Sequence, residues 1–105
     1  MSNVTDLILT GFCTEDNHVG IVKVNEYLSG LGLAEGQLHQ VDIYGRNSKV
    51  MQCRIWIGAF NYLYVDELID FIKTTKEFWD EPTSLQLMIK GEDTDRFRVI
   101  NIFEE

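Results

Sequence analysis

Cys13 is the residue best suited by type to act as a nucleophile. It follows a β-prone run and precedes the start of a helix, where backbone amides favour a thiolate. A phosphatase-type loop needs an arginine six residues later, and position 19 is valine. Glu15 and Asp16 also disfavour a negative sulfur. His18 lies beside these acids, so Cys13, Asp16 and His18 can be drawn as nucleophile, orienter and base. Such sets are built in space, however, and adjacency along the chain does not make one. The plain reading is a strand-end cysteine and a histidine in an exposed first turn, and no catalytic residue is assigned.

The metal and cofactor patterns are equally bare. Cys13, His18, His39 and Cys53 supply zinc-type donors, but structural zinc ligands come in close pairs and these do not. Glu92-Asp93-Thr94-Asp95 offers oxygen ligands without the sixth-position glycine and closing glutamate of a calcium loop, so it reads as a solvated hairpin turn. Gly30, Gly32 and Gly36 are spaced GxGxxxG and follow a helix rather than a strand, unlike a dinucleotide loop. Residues 51–60 lack the basic, glycine-containing signature of an RNA-recognition strand. No cofactor and no metal site is expected.

What remains is a surface. The chain has 17 acids and 9 bases, a net charge of −8 and a pI near 4.6. That charge argues against nucleic-acid phosphates and anionic membranes and permits a basic protein partner. Residues 66–105 hold eleven acids and five bases, a net −6, so most of the excess lies beyond position 65. Aromatic residues bracket the helix in that region, with Tyr62 and Tyr64 just before one end and Phe78 and Trp79 at the other. Tyr and Trp are favoured anchors at interfaces. The expected partner-binding set is Tyr62, Tyr64, Asp66, Asp70, Glu77, Trp79, Asp80 and Glu81. Ordinary core packing for the aromatics and a solubility surface for the acids are the plainer alternatives. In size and charge the chain resembles bacterial immunity proteins that neutralise nuclease toxins. That resemblance implies a small acidic inhibitor that covers a basic surface, and it rests on no shared motif.

These residues must be held by a fold, and 105 residues imply one domain over 1–105. Hydrophobic residues at 45% and charged residues at 25% suit a folded globule. Two distant cysteines fit a reducing compartment. No signal peptide or 20-residue apolar run is visible, so a cytoplasmic location is expected. Val4–Phe12 reads as a strand. The stripe Ile21, Val24, Leu28 and Leu31 predicts a helix over His18–Leu31, capped by Asp16 or Asn17. Gln37–Tyr44 and Lys49–Phe60 predict a hairpin, and Val65–Phe78 the clearest helix, with Pro82 beyond its end. Leu85–Lys90 and Arg96–Phe103 complete a second hairpin.

The resulting order is β-α-β-β-α-β-β. It predicts an α+β fold with an antiparallel sheet of about five strands and two helices on one face, ferredoxin-like. Cys53, Ile55 and Ile57 are expected in the core. Trp56, Arg54, Tyr44 and His39 are then placed on the uncovered sheet face, with Val50, Ile100 and Ile102 joining them. That face supplies the alternative functions: a small ligand-binding protein or enzyme built as a dimer, or an accessory subunit that docks by packing. Monomer and homodimer are both open.

Overall fold

In the computed structural model, residues 4–12, 19–31, 37–45, 49 and 51–103 are described. The fold is α+β, with one five-stranded antiparallel sheet and two helices. Strand β1 spans Val4–Phe12, helix α1 Val19–Gly30, β2 His39–Gln40 and β3 Cys53–Asn61. Helix α2 spans Val65–Lys73, β4 Gln86–Gly91 and β5 Arg98–Asn101. The sheet order is β2-β3-β1-β4-β5, with every neighbouring pair antiparallel.

The centre of the sheet follows from β1. Its side chains alternate between faces, and Thr5, Leu7, Leu9 and Gly11 are buried while Val4, Asp6, Ile8 and Thr10 are half-buried and Phe12 is exposed. Leu9 pairs with Trp56 on one side and Leu87 on the other, which marks the inner face. Both helices add buried side chains to the same hydrophobic cluster, α1 through Ile21, Val24 and Leu28 and α2 through Leu68 and Ile72. Tyr27 of α1 stacks on Phe71 of α2, with ring centroids 4.4 Å apart. Asn25 ties α1 to the segment before β2. Its Oδ1 accepts from the Leu38 N–H at 2.8 Å and its Nδ2 donates to the Leu38 carbonyl at 3.3 Å.

Strand β3 reverses the expected faces. Trp56 is 3% exposed and lies in the core, with Arg54 and Phe60 on the same side of the strand. Cys53, Ile55 and Ile57 lie on the other side of the sheet. Both sets are apolar enough to be buried, so alternation alone does not choose between them. The larger aromatic pair takes the helix-covered side, because it removes more apolar surface from water. Ile102 is buried and Ile100 packs against the core, so neither lies on the open face. Val50 is outside the described residues.

Four elements are shorter than their sequence patterns predict: β3 begins at Cys53 rather than Lys49, β5 is confined to Arg98–Asn101 rather than Arg96–Phe103, and β2 and α2 are cut further. Strand β2 has two residues, and Asp42–Tyr44 forms a 3-10 turn instead of continuing it. Asp42 turns its side chain inward. Its Oδ1 accepts from the Ile55 N–H at 2.9 Å and its Oδ2 from Gln40 Nε2 at 3.2 Å, with Arg54 Nη1 3.8 Å away. Tyr44 consequently sits on an exposed turn rather than on the sheet. Helix α2 stops at Lys73 because Thr74 and Thr75 donate their hydroxyls to the carbonyls of Phe71 and Ile72, each at 2.6 Å. A 3-10 turn, Lys76–Phe78, follows. No helix among the described residues is long and apolar enough to cross a membrane.

Candidate functional site

The exit from β3 creates the most distinctive surface of the molecule. Tyr62 adopts φ 56°, a left-handed conformation that a bulky side chain rarely takes. It turns the chain so that Leu63 enters the core while Tyr62 and Tyr64 stay out, 59% and 74% exposed. Tyr64 is the N-cap of α2 and makes no side-chain capping bond. Its carbonyl instead accepts from the Leu68 N–H at 3.1 Å. The first turn of α2 then presents Asp66 and Glu67, and Asp70 follows one turn after Asp66.

Tyr27 and Leu31 of the α1 end complete a wall opposite these residues. Tyr27, Leu31, Tyr62, Tyr64 and Glu67 line a depression of about 150 Å³. Burial, and secondly the negative charge of Glu67, push the Tyr27 hydroxyl above its ordinary value of 10.0. The shift keeps the phenol neutral, and so able to donate a hydrogen bond, further into the alkaline range.

The predicted partner-binding residues divide into two groups. Tyr62, Tyr64 and Asp66 lie at the start of α2 and Asp70 one turn along it, and all four are exposed. Glu77, Asp80 and Glu81 are also exposed but lie beyond the end of the helix. Nine helical residues alone separate the two ends by roughly 13 Å. Lys73 and Lys76 stand between them. These lysines belong to a separate polar cleft of about 370 Å³, shared with Asn101, Ile102 and Phe103.

Trp79 belongs to neither surface group. It is 8% exposed, meets Trp56 edge-on at 5.9 Å, and donates from Nε1 to Thr75 Oγ1 at 2.8 Å. It is a core tryptophan, so it is unavailable as an exposed anchor. Gly20 makes room for it, since a Cβ at position 20 would lie 2.4 Å from the indole Cε2. Phe78 is half-buried beneath the Lys23 ammonium, 5.3 Å from its ring centre.

Three residues of the depression escape sequence reasoning: Tyr27, Leu31 and Glu67. Tyr27 and Leu31 are four apart and so share a helical face, which is a usable signal. Their approach to Tyr62 and Tyr64 depends on the Tyr27–Phe71 stack between helices, which no local spacing reveals.

The other patterns hold less. Cys13, Asp16, His18, Gly32 and Gly36 lie outside the described residues. His39 and Cys53 are on the open sheet face at different positions along it, because His39 pairs with Ile57, four residues beyond Cys53. The segment from Glu92 to Asp95 is an exposed hairpin turn in which Glu92 Oε1 accepts from the Val4 N–H at 2.9 Å. Among the described residues, no group of three His, Cys, Asp or Glu side chains is placed to hold a metal ion. Compared with family models, curated proteins and solved structures, the chain matches none of them.

Proposed function

We propose that this domain is a small acidic, non-enzymatic protein-binding module, inhibitor or immunity-like, that covers a basic surface on a protein partner. The observation that carries this reading is the exposure of Tyr62 and Tyr64 beside the acidic first turn of α2, Asp66 and Glu67, with Asp70 one turn further along the helix. Exposed tyrosines are efficient anchors because they bury a large rigid surface with few torsions to freeze. The carboxylates around them accelerate encounter with a positive patch. Glu77, Asp80 and Glu81 extend the negative field beyond the helix without sharing the anchors. A free Cys53 thiol fits a cytoplasmic setting.

The test is retention of a partner from native lysate on the immobilised domain, eluted by a salt gradient. A basic protein released by rising salt is expected. Reversing Asp66 and Asp70 to lysine should lower the eluting salt more than reversing Asp80 and Glu81. Equal retention of the Asp66→Lys, Asp70→Lys variant at low salt sinks the reading.

We read the scaffold as a split βαβ, ferredoxin-like arrangement with β5 added at one edge. Antiparallel pairing throughout and helices between β1 and β2 and between β3 and β4 support it. A second function follows from the sheet face away from the helices. His39, Ile57, Ile8, Met88 and Val99 form one rung across all five strands. Val99 is 53% exposed. The neighbouring rung places Asp6 opposite Lys90. A two-fold pairing with a second copy of this chain would cover Ile57, Ile8, Met88 and Val99 of this rung.

A further inference from the structure

Tyr27, Tyr62 and Tyr64 surround a depression whose remaining walls are the Leu31 side chain and the Glu67 carboxylate. Aromatic faces are electron-rich and attract cations. A leucine suits the methylene stem of a long basic side chain. A carboxylate offers two oxygens to the fork of N–H donors on a guanidinium, which a compact ammonium cannot match in geometry. The start of α2 contributes about half a positive charge, opposed there by the full negative charges of Asp66 and Glu67. Two of the five walls are also held before any ligand arrives. Tyr27 is fixed by its stack on Phe71, and Tyr62 is held outward by its left-handed backbone next to buried Leu63.

We propose that the depression formed by Tyr27, Leu31, Tyr62, Tyr64 and Glu67 is a receptor for a guanidinium group, filled by an arginine side chain of the basic partner. The identity of that occupant rests on the protein-binding role given above, but the pocket's preference for a guanidinium can be measured without any partner.

The experiment titrates the full chain with N-acetyl-arginine amide while following the aromatic NMR signals of the tyrosines. Parallel titrations use N-acetyl-lysine amide and tetramethylammonium. The arginine probe should shift the Tyr27, Tyr62 and Tyr64 ring signals saturably, with a Kd in roughly the millimolar range. The other two cations should bind several-fold more weakly. Glu67→Gln should weaken the arginine probe by about tenfold, and Tyr64→Ala similarly. Both positions are exposed, and Tyr64 makes no side-chain capping bond, so circular dichroism should be unchanged. Gln52→Lys, exposed just before β3 at the opposite end of that strand from Tyr62, should leave the arginine titration within about twofold.

Absence of saturable tyrosine shifts overturns the proposal. So do equal shifts from all three cations, which would mean general attraction to an acidic surface. If the arginine probe binds but charge reversal leaves partner retention unchanged, only the protein-binding reading fails. If Glu67→Gln retains a partner as well as the parent while reversal of Asp66 and Asp70 weakens retention, the arginine occupant fails and the binding role stands.

Discussion

Trp79 shows how one distant glycine decides the fate of an aromatic side chain. Next to Phe78 and a run of acids, it has the sequence context of a surface anchor. Its indole is instead received by the gap at Gly20, and its N–H is satisfied by Thr75, whose own hydroxyl donates to the Ile72 carbonyl. Neither feature is local to Trp79, so no reading of residues 76–82 could place the ring. Gly20→Ala should therefore destabilise the protein by about 1–3 kcal/mol despite the better helix propensity of alanine. The added carbon must push the indole away and strain its bond to Thr75. Thermal unfolding followed by tryptophan fluorescence checks this. A variant as stable as the parent would show that Trp79 moves aside freely. Tyr64, by contrast, is legible in sequence, because a polar-tipped aromatic immediately before an acidic helical turn has little reason to enter the core.

Elements were easier to locate than to bound. The strand over Val4–Phe12 and the helix beginning at Val65 agree with their patterns, since alternation and a 3.6-residue stripe report burial directly. The lengths of β2 and α2 do not, because side chains compete with the backbone for hydrogen bonds. Asp42 captures the Ile55 N–H and ends β2, while Thr74 and Thr75 close α2 by bonding back onto it. Asp42→Ala should leave that amide and the adjacent Arg54 without their carboxylate partner. We expect a loss of about 2–3 kcal/mol, read from the urea midpoint. Asp42→Asn should retain part of it, since an amide oxygen can still accept from Ile55. The face of β3 was illegible for another reason: both sides of the strand are apolar, and the choice is made by Gly20, Trp79 and the helices rather than by β3 itself.

At the scale of the whole molecule, the negative charge is spread over both ends of α2 with Lys73 and Lys76 between them. The composition reveals its sign and its bias toward the second half of the chain, but not this division. The accessible surface is 6880 Å². A standard interface of about 800 Å² per partner would occupy roughly an eighth of it, so the tyrosine end of α2 and the open sheet face can serve separate contacts. If the open face pairs two copies, light scattering should give twice the 12.2 kDa chain mass. Ile57→Lys, an exposed position on the apolar rung, should then return the mass to that of one chain without changing the arginine titration. A single-chain mass for the parent at high concentration removes the pairing.

The sheet is also sharply tapered. Its inner strands β1 and β3 have nine residues each, whereas the outer strands have two in β2 and four in β5. Short borders offer few unpaired amides to an incoming chain, which limits strand-by-strand growth into fibrils. Such borders favour a companion that meets this molecule broadside, through side chains on a face or at the helix end, over one that lengthens the ladder.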